Sequence, residues 1–107
     1  PLAHDKLAVF YRQLAQQLGA GLTLAQALRA PSPAPAADTF RLAARAEGGE
    51  SVEAIFAAAG PWLPRHDRPF LAAAAASGRL PLVAANLADR HAQIALTRRR
   101  VFTASLY

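Results

Sequence analysis

The chain has 107 residues, a net charge of +5 and a pI near 11.1, which is one domain's length and an arginine-rich balance that points to an anionic partner: nucleic acid, a lipid surface or an acidic protein face. Hydrophobic residues make up 53% and charged residues 18%, which excludes a disordered chain. Cysteine is absent, which excludes a disulfide scaffold, a zinc ribbon and a thiol enzyme.

The first predicted helix is amphipathic, with Leu7, Phe10, Tyr11, Leu14 and Leu18 on one face and Gly19-Ala20-Gly21 as its stop. Thr23-Leu24-Ala25-Gln26 reads as a capping box that opens a short second helix, with Leu24, Ala27 and Leu28 inward. Pro31, Pro33 and Pro35 end that helix and stiffen the link that follows. A third helix is expected from about Ala36 to Glu47, with Phe40, Ala43 and Ala44 on one face. Ser51 is a good cap for a fourth, which presents Val52, Ile55, Phe56 and Ala59 and closes at Gly60-Pro61. The fifth is expected over Asp67 to Ser77, capped by Asp67, with Pro69 in its first turn. It is apolar on nearly every side over Phe70 to Ala76, so either the bundle interior or a second copy must cover it. Gly78 breaks the chain, and Pro81 starts the longest helix, whose stripe is Val83, Ala84, Leu87, His91, Ile94, Ala95, Val101 and Phe102. No segment alternates like a strand. The fold class is therefore all-α: a single compact bundle of about six antiparallel helices spanning 1–107.

Chemical signals are sparse. The N-terminus lacks the basic-then-apolar order of a signal peptide, and no run of about 18 apolar residues forms a membrane span. His4, His66 and His91 are too scattered for a metal pair on one helix, and His91 reads as a hydrogen-bonded core histidine. Glu47, Glu50 and Glu53 cluster at a helix junction, where they could converge on a cation but fit helix N-terminal electrostatics better. Ser51 and Ser77 have no nearby base, so no nucleophile constellation forms. The run Arg98-Arg99-Arg100 is the strongest charge feature. It reads as a solvated helix face, a phosphate-binding patch or a juxtamembrane cluster.

Three stretches carry a resemblance. The first is Leu7-Ala8-Val9-Phe10-Tyr11-Arg12-Gln13-Leu14-Ala15, followed by Leu18-Gly19-Ala20-Gly21-Leu22-Thr23-Leu24 and Ala27-Leu28. The second is Gly49-Glu50-Ser51-Val52-Glu53-Ala54, with Leu63-Pro64 before the fifth helix. The third is Ala76-Ser77-Gly78-Arg79-Leu80, continued by Arg98-Arg99-Arg100-Val101 through Ala104-Ser105-Leu106-Tyr107. In order and spacing they resemble the F protein of type II secretion systems, which is also the platform protein of type IV pilus assembly. Thr23 stands where that family has proline, and both residues start helices. Ala74 and Ala75 stand where it has Gly-Glu, so no metal or polar contact through that glutamate carries over.

The resemblance implies a cytoplasmic helical domain of a larger polytopic inner-membrane protein, the first of two homologous domains, with the stop at Tyr107 falling where a span would begin. It implies a non-catalytic scaffold that couples the cytoplasmic assembly ATPase to pseudopilin or pilin assembly and contacts other inner-membrane components. No cofactor, metal ion or small-molecule substrate is expected. Arg98, Arg99 and Arg100 are expected to face an anionic membrane surface, with partner contacts farther away over Leu22 to Ala30 and Gly60 to Arg68, naming Leu22, Thr23, Trp62 and Leu63. Weak dimerisation through apolar helix faces is expected as well. The alternative is a small basic nucleic-acid-binding domain, although the basic residues gather at one helix end instead of lining a recognition face.

Overall fold

Local sequence rules account for several of the helix boundaries. In a computed structural model that describes residues 1–106, six helices appear and no strand: α1 (His4–Gly19), α2 (Leu24–Arg29), α3 (Ala36–Glu47), α4 (Val52–Ala57), α5 (Arg68–Ser77) and α6 (Leu80–Ser105). Tyr107, the last residue of the third matching stretch, lies outside the described residues. Thr23 and Gln26 complete the capping box at α2, and the Ser51 hydroxyl accepts from the Ala54 amide at α4. Gly78 ends α5 at φ 72°, a left-handed position that glycine takes without strain. A 3-10 turn over Arg65–Asp67 leads into α5.

The antiparallel pair α1 and α6 forms the spine. Ala8 and Val9 lie beside Ala92 and Ala88, and Arg12 pairs with Asp89 farther along. Leu7, Phe10, Tyr11 and Leu14 of α1 are buried against the helices that follow, together with Leu28, Leu42, Ile55, Phe56, Leu63 and Leu71. Small residues let the spine close: Ala84 and Ala88 of α6 are fully buried.

Three faces differ from the sequence reading. On α3 the inward side is Thr39, Leu42 and Ala43, whereas Phe40 and Ala44 are exposed. The guanidinium of Arg29, from α2, lies over the Phe40 ring, 5.6 Å from its centroid. The apolar helix α5 is half covered: Leu71 and Ala74 are buried, while Phe70 is 56% exposed. The α6 stripe is fully buried only as far as His91; Ile94 and Ala95 are half-buried, and Val101 and Phe102 are 64% and 66% exposed. Length explains the last case. With 26 residues against 16 in α1, α6 outruns its partner by about 15 Å of helical rise. The overhang makes the molecule 53 Å long against 27 and 23 Å in the other directions.

Candidate functional site

A line of buried polar groups fixes where α6 leaves the bundle. Tyr11, fully buried on α1, donates its hydroxyl to Asp67 Oδ2 at 2.8 Å, and His91 Nε2 reaches the same oxygen at 2.7 Å. The other ring nitrogen of His91, Nδ1, lies 2.8 Å from Nδ1 of His4 at the start of α1. These nitrogens are the near points of two rings with centroids 5.0 Å apart, so the imidazoles meet edge to edge. Asp67 thus ties the 3-10 turn to both helices of the spine. It makes no capping bond to α5, contrary to the sequence expectation, because its carboxylate is drawn into the interior by two donors. His91 is the hydrogen-bonded core histidine its position on the stripe implied.

Charge and burial tune these groups. Burial, reinforced by the carboxylate that accepts its proton, pushes the Tyr11 hydroxyl far above its ordinary pKa. His4 is pressed downward by burial, then by Arg98 and His91, with Asp67 acting in the opposite sense. A buried tyrosine held protonated is no nucleophile, so the line acts as a tie between elements.

A second carboxylate organises the loop after α4. Asp38 Oδ2 accepts from the Trp62 indole at 2.6 Å and the Gly60 amide at 2.9 Å, while Oδ1 accepts from Arg41. Burial alone would raise the Asp38 pKa, but the hydrogen bonds from Trp62, Gly60 and Arg41 outweigh it and hold it below the ordinary value. The indole turns edge-on to Phe10, with ring centroids 5.0 Å apart.

The expected site residues separate accordingly. Arg98, Arg99 and Arg100 are exposed on the α6 overhang, with Arg98 close enough to influence His4. Leu22 and Thr23 are exposed in the turn after α1, at the other end of the spine. Trp62 and Leu63 are buried, 6% and 1% exposed. The bond to Asp38 and the packing on Phe10 turn the Trp62 indole inward. That loop also sits beside Pro1 and Leu2, so it shares the end of the bundle where α1 begins and does not join Leu22. Glu47 and Glu50 diverge into ion pairs with Arg29 and Arg45, while Glu53 lies in the first turn of α4. Among the described residues no three histidine or acidic side chains are placed to hold a metal ion.

With this geometry, the order of caps, breaks and arginines along the chain can be compared with known proteins. The family of type II secretion system (T2SS) protein F matches residues 10–107. The chain belongs to that family. T2SS protein F relatives are non-catalytic platform components of secretion or pilus machinery, associated with the inner membrane and with other components of the machinery. No curated protein and no solved structure matches the chain. No helix among the described residues is long and apolar enough to cross a membrane.

The line Tyr11–Asp67–His91–His4 is the part that sequence reasoning missed. Its one sequence signal is a tyrosine and a histidine lying on otherwise apolar stripes, each needing a polar partner that the neighbouring residues do not supply.

Proposed function

We propose that this bundle is the first cytoplasmic domain of an inner-membrane platform protein, coupling the assembly ATPase to pseudopilin or pilin assembly without catalysis of its own. The observation that carries the reading is the α6 overhang, which extends past the start of α1 with Arg98, Arg99 and Arg100 exposed. Three basic residues beside an anionic leaflet add about 1 kcal/mol each of surface attraction. Val101, Phe102 and Leu106 continue as exposed apolar groups suited to the interfacial region. In this reading the ATPase meets the opposite end, where Leu22 and Thr23 are exposed. A homodimer through the uncovered face of α5, centred on Phe70, completes it.

Sedimentation with phosphatidylglycerol-containing vesicles tests the orientation. Replacing Arg98, Arg99 and Arg100 by glutamine should weaken vesicle binding and leave ATPase association intact, whereas Leu22→Asp should do the reverse. Loss of ATPase association in the triple variant, with its circular dichroism unchanged, would put the arginines in the partner interface. Retention of short duplex DNA at physiological salt, lost in the same variant, would favour the nucleic-acid reading.

A further inference from the structure

The basic excess is confined to one part of the chain. Up to Ala57 the five basic residues are matched by five acidic ones, whereas the remainder carries seven basic residues against two acidic. The arginines of α1, α2 and α3 are all neutralised, through Arg12–Asp89, Arg29–Glu47, Arg41–Asp38 and Arg45–Glu50. Arg65 and Arg68 have no carboxylate within ion-pair distance among the described residues, and both line a cleft of about 710 Å³ between α4 and the start of α5.

Arg68 shapes that cleft. Its guanidinium donates to the carbonyls of Ala57 at 3.1 Å, Gly60 at 2.8 Å and Leu63 at 3.0 Å, gathering the end of α4 and the following loop around one side chain. Carbonyl acceptors fix a guanidinium without cancelling its charge. An arginine has five N–H donors. The Nε–H of Arg68 is buried without an acceptor, and one N–H of Nη1 is also unspent. Pro61, Pro69 and Ala72 add small apolar walls, and Glu53 stands on the α4 side.

We propose that this cleft docks an acidic segment of a protein partner, with an aliphatic side chain against Pro61, Pro69 and Ala72 and a carboxylate against Arg65 and Arg68. Arginine pairs well with carboxylates because its planar fork matches their geometry. The mixed lining separates a peptide from other anions. Glu53 repels any further anionic group beside the first, which disfavours closely spaced charges such as a run of phosphates. The apolar walls offer a phosphate group nothing, whereas an acidic peptide with alternating aliphatic residues spaces its carboxylates and uses both surfaces. The size falls in the range of roughly 300–1,000 Å³ typical of ligand clefts. The cleft is distinct from the α6 overhang, and its occupant is a protein whatever the overhang contacts.

The test is a ¹H–¹⁵N chemical-shift titration of the whole chain with a blocked peptide of alternating glutamate and leucine, beside its glutamine counterpart. The glutamate peptide should move the amides of Ala57, Leu63, Arg65, Arg68 and Ala72, and the glutamine peptide should bind at least tenfold more weakly. Arg65→Glu, which touches an exposed side chain and spares the carbonyl contacts of Arg68, should abolish the shifts with the fold intact. The Arg98, Arg99 and Arg100 to glutamine variant should leave them unchanged, whether or not vesicle binding fails. Equal binding of the two peptides would overturn the proposal, as would shifts confined to α6. Larger shifts of the cleft amides by phosphatidylglycerol vesicles or inorganic phosphate than by the peptide would also overturn it.

Discussion

Asp67 ties three elements of this domain together in its interior. Its Oδ2 serves a buried tyrosine from α1 and a buried histidine from α6. Asp67→Ala would leave both groups without a partner in the interior, which costs about 3–5 kcal/mol. Urea unfolding should show that loss, and a change below about 1 kcal/mol would mean the line is not stabilising. By contrast, the exposed Arg45–Glu50 pair contributes little, as surface ion pairs do. The edge-to-edge histidines add a pH dependence at the same scale. An Nδ1–Nδ1 bond holds one proton, so a second proton sets two N–H groups against each other. Burial, Arg98 and His91 depress His4 below its ordinary 6.5, with Asp67 opposing them. The unfolded chain therefore takes up the proton first: the stabilisation is present above about 6.5 and is lost as pH falls through the lower folded value. The melting temperature should drop between about pH 7 and pH 5, and His4→Ala should flatten that step; a wild-type profile flat over this window would refute the account. The depressed Asp38 and Glu50 act in the same direction in stronger acid, starting from 3.8 and 4.5 respectively. The raised Tyr11 acts at the other extreme, its stabilisation being full below about 10 and lost in alkali.

Among the elements, α6 is two structures in one helix. From Leu80 to His91 it buries a continuous stripe, Ile94 and Ala95 are half-buried, and from Leu96 onward it relies on local hydrogen bonds. Isolated helical turns are marginal in water, and protection from exchange tracks tertiary burial. Amide hydrogens from Thr97 to Ser105 should therefore exchange at least tenfold faster than those of Leu87 to His91. Equal protection along the whole helix in the monomer would contradict this division. Short α4 shows the opposite economy. With six residues it depends on the Ser51 cap and on Ile55 and Phe56, which are both buried. Ser51→Ala should lower stability by about 1 kcal/mol.

For the whole molecule, the uncovered side of α5 bears on the proposed dimer. Phe70 and Ala73 are exposed, and neither lines the cleft beside Arg68. If a second copy covers Phe70, sedimentation equilibrium should show concentration-dependent association that Phe70→Glu removes without altering the helical spectrum. Monomer throughout, at the highest attainable concentration, would eliminate that dimer.

Sequence alone determined the helices, because caps and breakers act within a turn or two of the residue that carries them. Thr23, Ser51, Gly78 and Pro81 set boundaries through hydrogen bonds and backbone angles that depend on no distant neighbour. Family membership was legible in the residues of the three matching stretches and in their order along the chain. Tertiary structure alone decided which apolar faces are covered and where the polar groups meet. Periodicity marks Val101 and Phe102 as a continuation of the core stripe, yet α1 is too short to reach them. Trp62 reads as an exposed loop residue until Asp38, 24 positions earlier, accepts its indole proton. Asp67 reads as a helix cap until Tyr11 and His91 arrive from α1 and α6. Each of these outcomes depends on the relative length and register of helices far apart in the chain, a quantity that no local pattern encodes.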